Sequence, residues 1–138
     1  MSNAIIREAF ESRLNTWATN RSSPLAISWE NIAKDLTDEF YVESYMFPSE
    51  NTNDFLEGNH IRFVGFFQFS VVGQKGYGVG AIELIAQEIC NLFPCSAGIT
   101  QSGLDIEVTN PPSIGRAIPS ERKFTVPVTV YYRCEVVN

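Results

Sequence analysis

Residues 76–81, which read GYGVGA, have the spacing that comes nearest to a chemical site in this sequence. They fit G-x-G-x-x-A, a relaxed form of the fingerprint in which glycines let backbone amides approach a dinucleotide pyrophosphate at a helix N-terminus. The fingerprint also needs an acidic residue about 20 positions later, at the end of the next strand, and no well-placed candidate exists here. The pattern therefore favours a glycine turn that redirects the chain from strand to helix. A small nucleotide- or ligand-binding protein is the alternative.

The residues that could act as nucleophiles or metal ligands are few and scattered. The cysteines, Cys90, Cys95 and Cys134, show no C-x-x-C spacing, and the single histidine, His60, stands in a polar stretch without a nucleophile beside it. The 16 acidic residues are spread along the chain, whereas acid–base catalysis needs carboxylates held together in a cleft. We therefore expect reduced, partly buried thiols, no metal, no cofactor and no catalysis.

The composition indicates an ordinary folded protein. The chain has 138 residues, 44% of them apolar and 19% charged, which predicts one domain spanning residues 1–138. The net charge of −6 argues against a protein that grips nucleic acid by its phosphates, although DNA could pass by without specific binding. No stretch approaches the ~20 apolar residues that a membrane span needs, so no membrane contact is expected.

Two amphipathic helices and five strands are predicted to form the scaffold. The helices cover residues 4–19 and 79–93, where apolar residues recur at helical spacing, and Pro94 ends the second helix. The strands cover residues 25–29, 41–47, 62–72, 104–109 and 124–137, and residues 31–40 fit either a helical turn or a loop. Because the long strands alternate, we expect an α+β single domain with a mainly antiparallel, twisted sheet of about four to five strands and both helices packed on one face.

Two polar stretches and one aromatic strand are the candidate contact regions. Residues 49–60 and 110–123 are long for connections in a compact domain, which is typical of contact loops. The strand at residues 62–72 carries aromatic side chains on both faces, which predicts either a central strand or a strand whose second face meets a partner chain. Phe66, Tyr131 and Arg133 also permit stacking on a nucleic acid, but sheet packing or a subunit interface is the favoured interpretation.

Taken in order, several pieces of the chain resemble a family of tailed-bacteriophage tail terminator-like proteins, also described as tail completion or minor tail proteins. The pieces are IIREAFESRLNTWA, WENI, YVESYMFP, GFFQFSVVG, GYGVG, AIELIAQEICNLFP, NPP and VPVTVYYR. Together they cover nearly the whole chain. Residues 33–40 depart from the family pattern, because a proline-rich segment is expected there.

The resemblance implies a structural role without catalysis. Such proteins form a ring, usually hexameric, on the growing end of the tail tube; the ring stops tube polymerisation and docks onto a head–tail connector or stopper protein, and DNA later passes through it. It further implies a place in the tail or neck of the virion, with assembly in the host cytoplasm. Another neck or tail-assembly protein of the same particle is the alternative. The predicted subunit and partner contacts are Asn53, Phe55, Leu56, His60, Phe66, Tyr77, Ile114, Arg116, Arg122 and Lys123.

Overall fold

The computed structural model describes residues 2–21, 24–30, 40–49, 52–53, 60–74, 80–96, 98–120 and 123–137. Within them the chain forms two helices and nine strands. The helices are α1 (Ser2–Asn20) and α2 (Gly80–Leu92). The strands are β1 (Ala26–Ser28), β2 (Phe40–Pro48), β3 (Thr52–Asn53), β4 (His60–Gln74), β5 (Gly98–Gln101), β6 (Leu104–Val108), β7 (Ser113–Ile114), β8 (Ile118–Pro119) and β9 (Lys123–Val137).

Both predicted helices are confirmed, and their apolar stripes explain their placement. In α1 the buried residues Ile6, Phe10 and Leu14 follow one another at intervals of four, so they share the face that meets the core. In α2 the equivalent stripe contains Ile82, Ile85, Ala86 and Ile89. The chain leaves α2 two residues before Pro94, as proline's effect on the preceding residue requires.

The sheet is larger than the sequence predicted, and it is mixed. Its strands lie in the order β1-β2-β4-β9-β6-β5, with β3 paired to β4 and with β7 and β8 paired to β9. The pair β1–β2 is parallel, and the other described pairs are antiparallel. The prediction of four to five strands was therefore wrong in number, while the α+β class is confirmed.

Three of the four additional strands, β3, β7 and β8, have a common physical origin, while the fourth, β5, pairs with β6. Strands β4 and β9 each have 15 residues, and such long strands offer backbone donors and acceptors along their outer edges. Short pieces of the two predicted polar loops use these groups: β3 pairs with β4, and β7 and β8 pair with β9. A two-residue strand is too short to show an alternating pattern, which is why these segments were predicted to be loops.

The core lies between one face of the sheet and the two helices. The buried side chains of Phe67, Phe69 and Val71 in β4 lie opposite Val130, Val128 and Val126 in β9. The Phe10 ring of α1 stacks on Phe67, with ring centroids 4.4 Å apart, and Phe93 stacks on Phe69 at 5.4 Å. Both helices therefore pack on the same face, as predicted, and the opposite face of the sheet is called the helix-free face below.

Candidate functional site

The candidate nucleophiles and metal ligands lie on different elements, with Cys90 on α2, His60 on β4 and Cys134 on β9. Of the glycine stretch, residues 76–79 lie outside the described residues, and Gly80 begins α2. No group of three or more His, Cys, Asp or Glu side chains there could hold a metal ion. Burial raises the pKa of the Cys90 and Cys134 thiols, which disfavours the reactive thiolate. None of the described helices is long and apolar enough to cross a membrane.

Those predicted contact residues whose side chains the structure describes lie at several places on the fold. Phe55, Leu56, Tyr77 and Arg122 lie outside the described residues, and Asn53 and His60 are described only through their backbone pairing in β3 and β4. Phe66 is half-buried on the helix-free face, and Ile114 and Arg116 are exposed beyond the far edge of β9. Lys123 is engaged within the fold, since its Nζ donates to Tyr41 Oη at 2.9 Å.

Phe66 belongs to a row of aromatic side chains that the sequence only partly indicated. The strand register places Phe47, Phe66 and Tyr131 side by side on β2, β4 and β9. Their ring centroids are 4.9 Å apart for the first pair and 5.5 Å for the second. Tyr45 precedes Phe47 by two residues on β2 and therefore lies on the same face of the sheet. We call these four residues the aromatic strip; within it Phe47 is 44% exposed, Tyr131 42% and Tyr45 36%.

The aromatic strip occupies one end of the helix-free face. At the other end of this face Ser70 and Val72 are buried. Neither described helix packs on the strip, and contiguous exposed aromatics of this kind are typical of protein interaction surfaces. Alternation along residues 41–47 puts Tyr45 and Phe47 on one side of the strand. The sequence pattern does not tell whether another layer covers that side.

A polar rim borders the aromatic strip. Arg133 pairs with Glu107 at 3.1 Å, and a cavity of about 330 Å³ opens between Val64, Phe66, Tyr131 and Arg133. Because the Arg133 guanidinium already has a carboxylate partner, it is a poor anchor for phosphate groups. An apolar centre with a polar rim is the anatomy of a protein–protein interface, so the geometry favours a subunit or partner contact over nucleic-acid stacking.

Two exposed isoleucines lie on the opposite side of β9 from β4, and they point to opposite faces of the sheet, because Ile114 pairs with the core-facing Val128 and Ile118 pairs with Thr125. Residues 113–119, which include β7 and β8, are called the edge segment. Within it Ile114 is 41% exposed and Ile118 57%, and the exposed Arg116 stands between them in sequence. Gly115 N–H donates to the Pro127 carbonyl oxygen at 2.8 Å, which holds the segment against β9. The sequence predicted Ile114 and Arg116 as contact residues but not Ile118, because a single isoleucine in a polar stretch carries no periodic signal.

Two carboxylates attach α1 to its neighbours. Glu30 accepts hydrogen bonds from Met46 N–H at 3.0 Å and from Arg7 at 2.9 Å, and the bond from Met46 is the largest cause that lowers the pKa of Glu30. Met46 stands between two members of the aromatic strip, so this contact fixes the backbone that carries them. Glu88 of α2 accepts from Arg21 at 2.8 Å and from the Trp17 indole at 3.2 Å, and the bond from Arg21 is the main cause of its lowered pKa.

These lowered pKa values predict a loss of stability in acid. A carboxylate whose folded-state pKa is depressed stabilises the fold above its unfolded pKa, and this contribution disappears as pH falls through the folded value. We therefore expect the free energy of unfolding of Glu30→Gln to fall less than that of the wild type between pH 6 and pH 3, as measured by urea denaturation. Glu8→Gln, at an exposed position of α1, is the control and should follow the wild type. An unchanged acid dependence in Glu30→Gln would contradict the assignment.

The chain resembles known proteins in both sequence and structure. A family model described as phage tail terminator protein matches residues 5–132. Seven chains of solved structures match. One of them is 32% identical, with a TM-score of 0.84, and the match covers 97% of this chain and 96% of that chain. No curated protein sequence matches.

Proposed function

The chain belongs to the phage tail terminator family, and we propose that it caps the phage tail tube as a ring, stops tube polymerisation and forms the tail side of the head–tail junction. The family role is structural and lies in phage tail assembly, so the protein is a component of the virion tail. We further propose that residues 1–138 form one domain and that assembly takes place in the host cytoplasm. The proposed partners are other copies of the chain in a hexameric ring, the tail tube protein and a head–tail connector or stopper protein.

The aromatic strip is the observation that best supports this proposal. A protein that ends a polymer must present one surface to its own copies and another to the polymer end, and both surfaces must exclude water to bind. The strip supplies exposed rings of Tyr45, Phe47 and Tyr131 on a hydrogen-bonded sheet. The strip therefore fits assembly better than catalysis.

Net charge fits the proposed passage of DNA. The chain carries a formal charge of −6, and a ring multiplies that charge around its central hole. Like charges repel at the short range that salt leaves unscreened. DNA phosphates would consequently pass through such a ring without a cluster of Lys and Arg side chains to retain them.

Co-assembly with the tail tube protein tests the proposal. Tubes grown in the presence of the protein should stop at a bounded length, whereas tubes grown alone should continue to lengthen, as measured by electron microscopy. A Phe47→Ser/Tyr131→Ser variant should lose this control because it removes two exposed rings from the strip. Leu84→Ser is the matched control, since Leu84 is 70% exposed on α2, away from the strip, and it should still bound the tubes. Unchanged tube length in the presence of the wild-type protein would overturn the proposed function.

A further inference from the structure

A groove of about 730 Å³ lies between α1, α2 and β5. Its apolar wall is formed by Trp17, Leu92 and Ile99. Several α1 side chains that line it are short, among them Ala9 and Thr16, so the helix does not fill the space beside β5. The volume lies within the range of roughly 300–1,000 Å³ that binding clefts have. The groove can therefore receive side chains of another chain segment.

One arginine gives the groove a positive charge. Arg13 Nε donates to the Leu92 carbonyl oxygen at 2.9 Å, and within the described residues its two Nη groups make no hydrogen bond or ion pair. Arg21 and Glu88 pair at 2.8 Å, so their charges cancel. The lining consequently keeps one positive charge on a chain whose net charge is −6. This charge favours an acidic occupant, whereas a single cation beside a carboxylate is a poor site for a phosphate backbone.

Strand β5 adds backbone hydrogen-bonding groups beside the groove. It is the last strand in the sheet order, and no described strand pairs with its outer edge. In an antiparallel pair, alternate residues direct their N–H and C=O groups away from the partner strand. When an extended segment joins such an edge, main-chain hydrogen bonds give affinity and pockets for alternate side chains give specificity. The edge of β5 and the groove together supply both.

Residues 54–57, which read DFLE, combine the apolar and acidic side chains that suit this groove. In an extended segment alternate side chains share one face, so Phe55 and Glu57 can enter the groove together. From these observations we propose that residues 54–57 of one copy bind along β5 of the next copy, with Phe55 against Trp17. Glu57 then pairs with Arg13. This contact rests on the proposed ring and names the surfaces that build it.

The occupant comes from another copy because the groove of the same copy is out of reach. Residues 54–59 lie outside the described residues, and they join Asn53 of β3 to His60 of β4. Phe55 follows Asn53 by two residues, so the two Cα atoms are at most about 7 Å apart. Between β3 and β5 lie β4, β9 and β6, which makes four strand spacings, or roughly 19 Å along the sheet.

The groove is organised before docking. The Trp17 indole donates to Glu88 Oε1 at 3.2 Å, and the Arg21 guanidinium carbon lies 5.4 Å from the centre of the Trp17 ring. Because the ring is already held, binding loses little side-chain entropy. The segment and the groove are unlike surfaces, so copies join head to tail, and such contacts close into a ring when the rotation between neighbours allows it. The aromatic strip remains available for the end of the tube.

Cysteine cross-linking in tubes assembled with the protein tests the contact. In a Cys95→Ser background, which removes the exposed native thiol, the paired substitutions Phe55→Cys and Thr16→Cys should give a ladder of covalent oligomers on mild oxidation. Neither substitution alone should give a ladder. Phe55→Cys paired with Asn15→Cys is the matched control and should give none, because Asn15 is exposed on α1 but does not line the groove. Dimers from Phe55→Cys alone, a disulfide within one chain, or no ladder from the first pair would each overturn the proposal.

Charge exchange gives a second test that does not depend on the geometry of a disulfide bond. In the background that carries Phe55→Cys and Thr16→Cys, Arg13→Glu and Glu57→Arg should each lower the ladder yield roughly tenfold, because each places like charges face to face. The combination of both should restore the yield. Glu83→Arg makes the same change of charge as Glu57→Arg at an exposed position of α2 and should leave the yield unchanged. No recovery in the combined variant would contradict the pairing.

Tube length, measured on the same samples, separates this contact from the proposed function. A ladder without control of tube length would refute the terminator role alone. Control of tube length without a ladder would refute this contact alone.

Discussion

Replacement of Phe10 by alanine is expected to lower the free energy of unfolding by about 3–5 kcal/mol. The side chain is fully buried in α1, and its ring stacks on Phe67 at 4.4 Å and on Phe93 at 5.1 Å between centroids. Its removal therefore loses the transfer free energy of a whole ring and opens a cavity where α1, β4 and the end of α2 meet. Aromatic pairs add about 0.5–1.5 kcal/mol each beyond their buried area. Urea denaturation followed by circular dichroism measures the change.

The control for this prediction is Leu84→Ala. Leu84 is also a large apolar residue on a helix, but it is exposed, so its truncation should change the free energy of unfolding by no more than about 0.5 kcal/mol. Similar losses in the two variants would contradict the packing described for the core. A Phe10→Tyr variant, which keeps the ring, should retain part of the stability that alanine loses, because two stacked neighbours remain in contact with it.

The second large effect is expected at Gly65, where β4 passes very close to other parts of the chain. An added Cβ would lie 2.6 Å from the Phe47 carbonyl oxygen, 2.6 Å from Tyr132 Oη and 2.9 Å from Pro48 Cα. Two of these atoms belong to the backbone of β2, which cannot move without disturbing its pairing with β4. Gly65→Ala should therefore cost about 1–3 kcal/mol, the usual range for overpacking, and should also displace the strand that carries Phe47.

Two variants test this explanation. Gly98→Ala is the matched strand glycine, because an added Cβ there meets no atom within 4 Å, and it should be neutral or slightly stabilising. Tyr132→Phe removes the one close contact that is not backbone. The Tyr132 hydroxyl is buried without a hydrogen-bond partner among the described residues, and burial raises its pKa to about 12. Tyr132→Phe should therefore recover part of the loss in Gly65→Ala. Strict additivity of the two changes would refute the contact.

The sequence predicted the elements whose patterns are long. Helix α2 and strand β9 repeat their apolar residues over many positions, so period and length together identify them. Strands β7 and β8 have two residues each, and they exist because β9 offers an edge to pair with. The parallel pairing of β1 with β2 depends on where residues distant in sequence meet, and alternation within one strand carries no information on that.

The candidate site was only partly predictable for a related reason. Alternation separates Phe66 from Phe67 on β4, and in the same way it separates Phe47 from Met46 on β2 and Tyr131 from Tyr132 on β9. Exposure, however, depends on whether a second layer covers that side of the sheet. Because α1 and α2 both pack on the opposite face of the sheet, neither of these helices covers the rings. Ile118 belongs to no periodic pattern, so the sequence does not predict that it is exposed where β8 pairs with β9.

The pairing of β4 with β9 along their whole length has a consequence for how the chain reaches its native state. The two strands belong to the middle and the end of the sequence, with α2 and four short strands between them. Such a topology has a high contact order, and the entropy of closing the intervening loop is lost before the long-range ladder forms. We therefore expect slow folding for a domain of this size, and during synthesis the ladder can form only after β9 has left the ribosome.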